Sequence, residues 1–256
     1  MTENGAIKLA VRAGEVMLAS GAETSRVEDT MVRLMEHSGL KSCEAFCTTT
    51  GIFASAQDEE GLPLTMMRRL KSRSSHFEKI AKVNELSRRY VEGKVDIAHA
   101  LDALDEIDAL RPYPFIVRLL GAAVASACFA FMVGGNFNHA LGAFLSAFLM
   151  QIPVKLLDRN NVVIFLQNIL GGAFGATFAL IFVGMGLAPS IDYIIIGAIM
   201  PLLPGVALVN AIRDILDGDM LAGSARIMEA LLTAIAIAAG VGTAVSIWVS
   251  FGGMFA

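Results

Sequence analysis

Two hydrophobicity patterns divide the chain. Up to Leu110 apolar residues recur at amphipathic spacings, whereas from Pro114 onward they run together in long stretches almost free of charge. In the first part Ile7, Leu9, Ala10, Val11, Ala13, Val16 and Met17 fall at mostly helical spacing, which predicts an amphipathic helix over residues 5–19, ended by Ser20-Gly21. A second helix is expected from about Ser25 to Ser38-Gly39. There Ser25-Arg26-Val27-Glu28 fits a capping box, in which the hydroxyl accepts a backbone N–H and the glutamate reaches back. Cys43 to Gln57, with Phe46, Thr48, Thr49, Thr50, Ile52 and Phe53, favours strand. Asp58-Glu59-Glu60-Gly61 then turns the chain into Leu62 to Met67, so a hairpin is the simplest account. Helices over residues 75–92 and 96–107 follow, and Arg111-Pro112-Tyr113-Pro114 makes a stiff hinge into the apolar part.

Roughly 20 apolar residues cross a 30 Å hydrocarbon core. Five segments qualify, at about 115–133, 140–157, 162–187, 191–211 and 227–251, with a longer polar stretch from Ile212 to Arg226 between the last two. In lipid only helices satisfy their own backbone within one segment. The predicted fold class is therefore an α-helical multi-pass membrane protein: five transmembrane helices in residues 111–256, behind an N-terminal cytosolic α+β head in residues 1–110. An odd number of spans leaves the two ends on opposite sides of the bilayer. Five helices also seldom enclose a solute pathway alone, so the chain reads as half of something.

Lys and Arg set the orientation, because short cytoplasmic loops hold the excess. Arg111 and Arg118 flank the first span, Lys155 and Arg159 follow the second, and Arg213 and Arg226 lie between the fourth and fifth. The alternation puts the head in the cytoplasm and the C-terminus outside. No basic n-region precedes an apolar run at Met1-Thr2-Glu3-Asn4, so no cleavable signal is expected. Thiols in a cytosolic head stay reduced, which makes Cys43 and Cys47 packing or surface groups; further ligands at metal-binding spacing are missing.

Composition sharpens the split. Of 20 basic and 24 acidic residues only 12 lie from Arg111 onward, and a net charge of -4 leaves no footprint for nucleic acid. The head offers no Gly-x-Ser-x-Gly elbow, no His-Glu-x-x-His and no Walker loop, and His37, His76, His99 and His139 are scattered. The chain is thus read as a non-enzyme without cofactor or metal. Glu23, Arg26 and Glu28 around Gly21 are read as capping and surface ion pairs.

The polar points inside the spans carry the candidate chemistry. Pro201 and Pro204, followed by Gly205, remove backbone donors in mid-span and leave carbonyls without helical partners, as in the discontinuous helices that bind solutes in transporters. A plain packing kink is the competing reading. Gln167 and Asn168 in the third span could bond a ligand or a neighbouring helix, and Gly171 and Gly175 form a small-residue face for close helix approach. Asn210, Arg213 and Asp214 lie just inside the cytoplasmic boundary. Glu229 is a candidate for proton coupling, or else a helical partner of Arg226 at i, i+3.

Gly21-Ala22-Glu23-Thr24-Ser25-Arg26-Val27-Glu28, Pro201-Leu202-Leu203-Pro204-Gly205, Asn210-Ala211-Ile212-Arg213-Asp214, Gly218-Asp219 and Gly223-Ser224-Ala225-Arg226 together resemble the threonine/serine exporter family. Members with one long chain carry a similar head and five spans, then about five more. This chain stops after the first set, so the resemblance is to the split, two-component type. It implies a bacterial inner-membrane exporter subunit completed by a second small multi-pass subunit, with membrane lipid around both and the C-terminus in the periplasm. The implied substrate is a small carboxylate, either a dicarboxylate such as succinate or threonine and serine. Two other classes stand beside it: a membrane-anchored cytosolic enzyme, and a membrane-anchored scaffold or regulatory subunit.

Overall fold

A computed structural model describes residues 3–70 and 74–251. It divides into two compact units, one formed by Met1–Pro112 with Val206–Ile227 and the other by Tyr113–Gly205 with Met228–Ala256.

The first unit is built around α1 (Glu3–Ala19). Ile7, Leu9, Val11, Val16, Met17 and Leu18 are all fully buried, because α2 (Thr24–His37), α3 (Phe77–Val91), α4 (Ile97–Asp108) and the sheet pack around this one helix. A predicted amphipathic helix is thus a central one. Arg12 reaches Asp105 and Asp108 on α4 at 3.0 and 2.8 Å, and that pairing holds the Asp108 carboxyl below its ordinary range against the opposing effect of burial. The bounds of α1, α3 and α4 fall within about two residues of those predicted from spacing.

The sheet has three strands rather than a two-stranded hairpin: β1 (Lys41–Thr48), β2 (Gly51–Gln57) and β3 (Pro63–Arg69) form an antiparallel meander in that order. The run from Cys43 to Gln57 is broken at Thr49-Thr50, where the Thr48 hydroxyl accepts the Thr50 N–H at 3.3 Å and Thr48 pairs with Gly51. Threonine's strand preference hides this tight turn in the sequence. The capping box is also absent. Glu23 is the N-cap of α2 and provides no side-chain cap, and Glu28 accepts the Cys47 N–H at 2.6 Å instead.

The second unit contains α5 (Phe115–Met132), α6 (Phe137–Arg159), α7 (Ile164–Gly184) and α8 (Asp192–Ile199), which continues as a 3-10 turn over Met200–Leu202. α9 (Gly205–Leu216) and α10 (Met220–Ser250) follow, and most of α10 also belongs to this unit. Among the described residues four helices are long and apolar enough to cross a membrane. A fifth is added if α8 with its 3-10 turn and α9 count as one span, bent by 63°.

The polar stretch expected from Ile212 to Arg226 is largely helical. Only Asp217-Gly218-Asp219 separates α9 from α10, with Gly218 at φ +94°, and the Asp219 side chain caps α10 by accepting the Ala222 N–H at 3.0 Å. Small residues set the packing of this second unit. A Cβ on Gly142 or Gly197 would strike Ile194 or Ala143 at 2.7 Å, fixing α6 close to α8. α7 and α10 cross at a reciprocal pair: a Cβ on Gly172 would meet the Ile237 carbonyl at 2.5 Å, and one on Gly240 would meet the Ile169 carbonyl.

Candidate functional site

A helix start leaves backbone N–H groups without partners and a helix end leaves carbonyls. The turn from α1 to α2 presents both within a few residues, with Gly21 at φ +90° reversing the chain. Local bonds close part of the turn, since the Leu18 and Met17 carbonyls accept the Gly21 and Ala22 N–H groups at 3.1 Å. The Gly21 and Ala22 carbonyls and the Thr24 N–H take their partners from α9 and the first turns of α10, 189–204 residues later.

Asp214 is fully buried and accepts both the Thr24 N–H, at 3.1 Å, and the Thr24 hydroxyl, at 2.8 Å. Its carboxylate therefore serves as the missing cap of α2, where negative charge also suits the helix dipole. Asn210 Nδ2 donates to the Gly21 carbonyl at 2.9 Å, and Arg226 Nη2 donates to the Ala22 carbonyl at 3.0 Å. Arg226, only 5% exposed, brings Nε to 2.9 Å from Asp214 Oδ2. Neither atom has an aligned hydrogen-bond partner, so this is a charge contact enclosed by protein. At the rim Ser25 donates to Asp217 at 2.6 Å and Arg213 pairs with Glu23.

Glu28 lies beside this network. Burial pushes its carboxyl above the ordinary range, the Cys47 N–H opposes the shift, and Asp219 and Asp214 add to it. Burial also pushes the Cys47 thiol up, and Glu28 and Asp219 reinforce that. A cavity of about 250 Å³ adjoins the network, lined by Gly21, Glu23, Arg26, Asn84 and Asn210 among others. Its hydrogen bonds are made within the network, apart from Asp214 Oδ2, Asp219 Oδ2 and Arg226 Nε, which are buried without an aligned partner. What it does chemically is to bind the α1–α2 turn to α9 and α10 through a buried charge pair. Among the described residues no group of three or more His, Cys, Asp and Glu is placed to hold a metal ion.

Of the residues singled out from sequence, Asn210, Arg213 and Asp214 meet here, together with the Gly21–Glu28 stretch. The others belong to the second unit. Pro201 sits in the 3-10 turn, Pro204 at the break and Gly205 at the start of α9. The break is tighter than the bare loss of donors implies: the Gly197 carbonyl, opposite Pro201, accepts the Met200 N–H, and the Met200 carbonyl, opposite Pro204, accepts the Leu203 N–H at 3.1 Å. On α7, Gln167 turns back to donate to the Val162 carbonyl at 2.7 Å and Asn168 is half-buried. A Cβ on Gly171 would touch Leu202 at 3.0 Å and one on Gly175 the Met150 sulfur at 3.2 Å. Glu229 is exposed on α10, while the Arg226 guanidinium is taken by Asp214 and the Ala22 carbonyl.

Spacing could not reveal the roles of Thr24, Ser25, Asp217 and Arg226, because their partners are remote in the chain. The signal present in the sequence was the recurrence of polar residues around two glycine turns, Gly21 and Gly218, whose buried complementarity appears only on folding.

The family model for threonine/serine exporters, ThrE, matches residues 8–248. The "Threonine/serine exporter" of Corynebacterium glutamicum is 30% identical over 95% of this chain and 51% of its own length. The "Probable threonine/serine exporter" of Mycobacterium tuberculosis is 29% identical over 92% of this chain and 45% of its own. The "Probable succinate transporter subunit YjjP" of Escherichia coli K12 is 24% identical over 94% of each chain. The chain thus spans about half the length of the first two relatives and nearly all of the third. No solved structure matches.

Proposed function

The chain belongs to the threonine/serine exporter family, and from that membership we propose that it is one subunit of a two-component secondary exporter of small polar carboxylates. A second small multi-pass membrane subunit completes the exporter, and its solute is a dicarboxylate such as succinate, or threonine and serine. The observation that carries this reading is the family match over residues 8–248, together with 24% identity to a relative named as a transporter subunit.

In this reading the bent pair is one span, giving five in a bacterial inner membrane, with the head in the cytoplasm and the C-terminus in the periplasm. The Lys and Arg alternation supports that orientation. Pro201, Pro204 and Gly205 form a hinge in the solute pathway, with Gln167 and Asn168 as polar contacts on α7 and Glu229 as the candidate for proton coupling. α9 begins directly at this hinge, and its Asn210, Arg213 and Asp214 grip the head.

The test is twofold. A reporter that fluoresces only in the cytosol, fused after Ala256, stays dark, and a five-span membrane protein co-purifies with the chain and confers export of a small carboxylate. A bright fusion contradicts the orientation, and full export by the chain without any partner contradicts the two-component reading.

A further inference from the structure

We propose that the head carries a cleft for a small dicarboxylate between α2 and α3, with Arg26 and Arg88 as its two anion-holding groups. The cleft has a volume of about 340 Å³, and its walls include Arg26, Thr30 and Arg33 from α2 and Asn84, Ser87 and Arg88 from α3. That volume lies in the range of roughly 300–1,000 Å³ typical of small-molecule sites. The cleft adjoins the 250 Å³ cavity beside the α1–α2 turn, with which it shares Arg26 and Asn84.

Charge pairing decides the ligand class. The two acidic residues in the cleft wall are already matched: Asp29 takes a two-point bond from Arg33, and Glu92 pairs with Lys94 at 2.6 Å. Glu23, in the adjoining cavity, pairs with Arg213. Among the described residues Arg26 and Arg88 form no side-chain hydrogen bond and no ion pair, although Arg88 draws the Glu92 carboxyl below its ordinary range from a distance, after the larger effect of Lys94. Two exposed guanidinium groups, one on α2 and one on α3, are therefore open to an anion from solution. A guanidinium is a planar fork that fits a carboxylate, and two forks on separate helices select a ligand with an anion at each end. Asn84, also in the wall, adds a neutral donor. Bound there, the ligand would sit against Arg26, two residues beyond the Thr24 that Asp214 holds, so occupancy would be felt at the turn gripped by α9.

The anion chemistry stands on the cleft alone; that the ligand is the exported solute rests on the exporter reading. Calorimetric titration of the purified full chain in detergent, without a partner subunit, tests the cleft with succinate, butyrate and inorganic phosphate as probes. Succinate should bind, and butyrate, which has one carboxylate, should bind at least about tenfold more weakly, since each charged hydrogen-bonded contact is worth about tenfold or more. Arg26→Gln and Arg88→Gln should each weaken succinate by a similar factor without shifting the thermal midpoint of the unliganded protein, and Arg26→Lys should recover part of the loss. Absence of succinate binding in the unaltered chain, glutamine variants that bind succinate as tightly as the unaltered chain, or phosphate bound more tightly than succinate would each overturn the assignment. No succinate binding by the unaltered chain while export persists condemns the cleft alone, and succinate binding with no export by the chain and its partner condemns the exporter reading alone.

Discussion

Replacing Asp214 by alanine isolates the contact on which the head's grip on α9 depends. The substitution removes the acceptor for the Thr24 N–H and hydroxyl, and it leaves the Arg226 guanidinium, 5% exposed, without its carboxylate. Breaking one side of a buried ion pair costs about 3–5 kcal/mol, mostly from the charge left behind. For a unit of this size that corresponds to a fall in midpoint temperature of roughly 10–20 °C. Asp214→Asn keeps an acceptor for Thr24 but still strands Arg226, so about half the loss is expected. The double variant Asp214→Ala/Arg226→Leu removes the stranded charge as well, and its midpoint should recover towards that of the unaltered protein. A thermal unfolding series on these four purified proteins and on Arg226→Leu, which closes the cycle, reads all of this, with a coupling of about 2 kcal/mol or more between the two sites. A fall of less than about 3 °C for Asp214→Ala, or simple additivity in the double variant, would refute the reasoning.

Other consequences follow from particular groups. Because the folded Glu28 carboxyl titrates above its ordinary value, its ionisation costs stability as pH rises through that raised value. Glu28→Gln, which can still accept the Cys47 N–H, should match the unaltered protein in thermal midpoint in acid and exceed it as pH rises from the ordinary carboxylate range through the raised value, then level off; a constant offset across pH would contradict the shift. Replacing Pro201 and Pro204 together by alanine should straighten the break and abolish solute efflux with membrane insertion intact, and unchanged efflux would return the prolines to a packing role. Gly240→Leu should separate α10 from the Ile169 carbonyl on α7 and lower the yield of folded protein severalfold in size-exclusion chromatography, whereas a normal yield would contradict the close crossing.

The long apolar helices were legible because long charge-free runs admit few structures, and the helices of the first unit because their apolar positions recur at helical spacing. What escaped was decided by remote partners or by short-range chemistry weaker than the pattern around it. Ser25-Arg26-Val27-Glu28 has the spacing of a capping box, yet Asp217 takes the serine and the Cys47 N–H takes the glutamate. Thr49-Thr50 has strand preference but forms a turn. The start of α10 was hidden because a charged residue, Arg226, sits inside the helix and is neutralised by Asp214 rather than exposed at a boundary. The Gly172 and Gly240 crossing was equally invisible, since single glycines in apolar runs do not declare their neighbours. In the candidate site each polar residue was visible by itself. Their convergence was not, because no local rule links residues 21–28 to residues 210–226.

The most direct test of the exporter account is solute efflux from vesicles of defined lipid, loaded with labelled succinate or threonine, that contain this chain with and without a co-purifying membrane subunit of about five spans. Efflux that appears only when both proteins are present, and that collapses when the proton gradient is dissipated, is the predicted result. Efflux from vesicles holding the chain alone at the same rate, or none with both proteins present and correctly inserted, would contradict it.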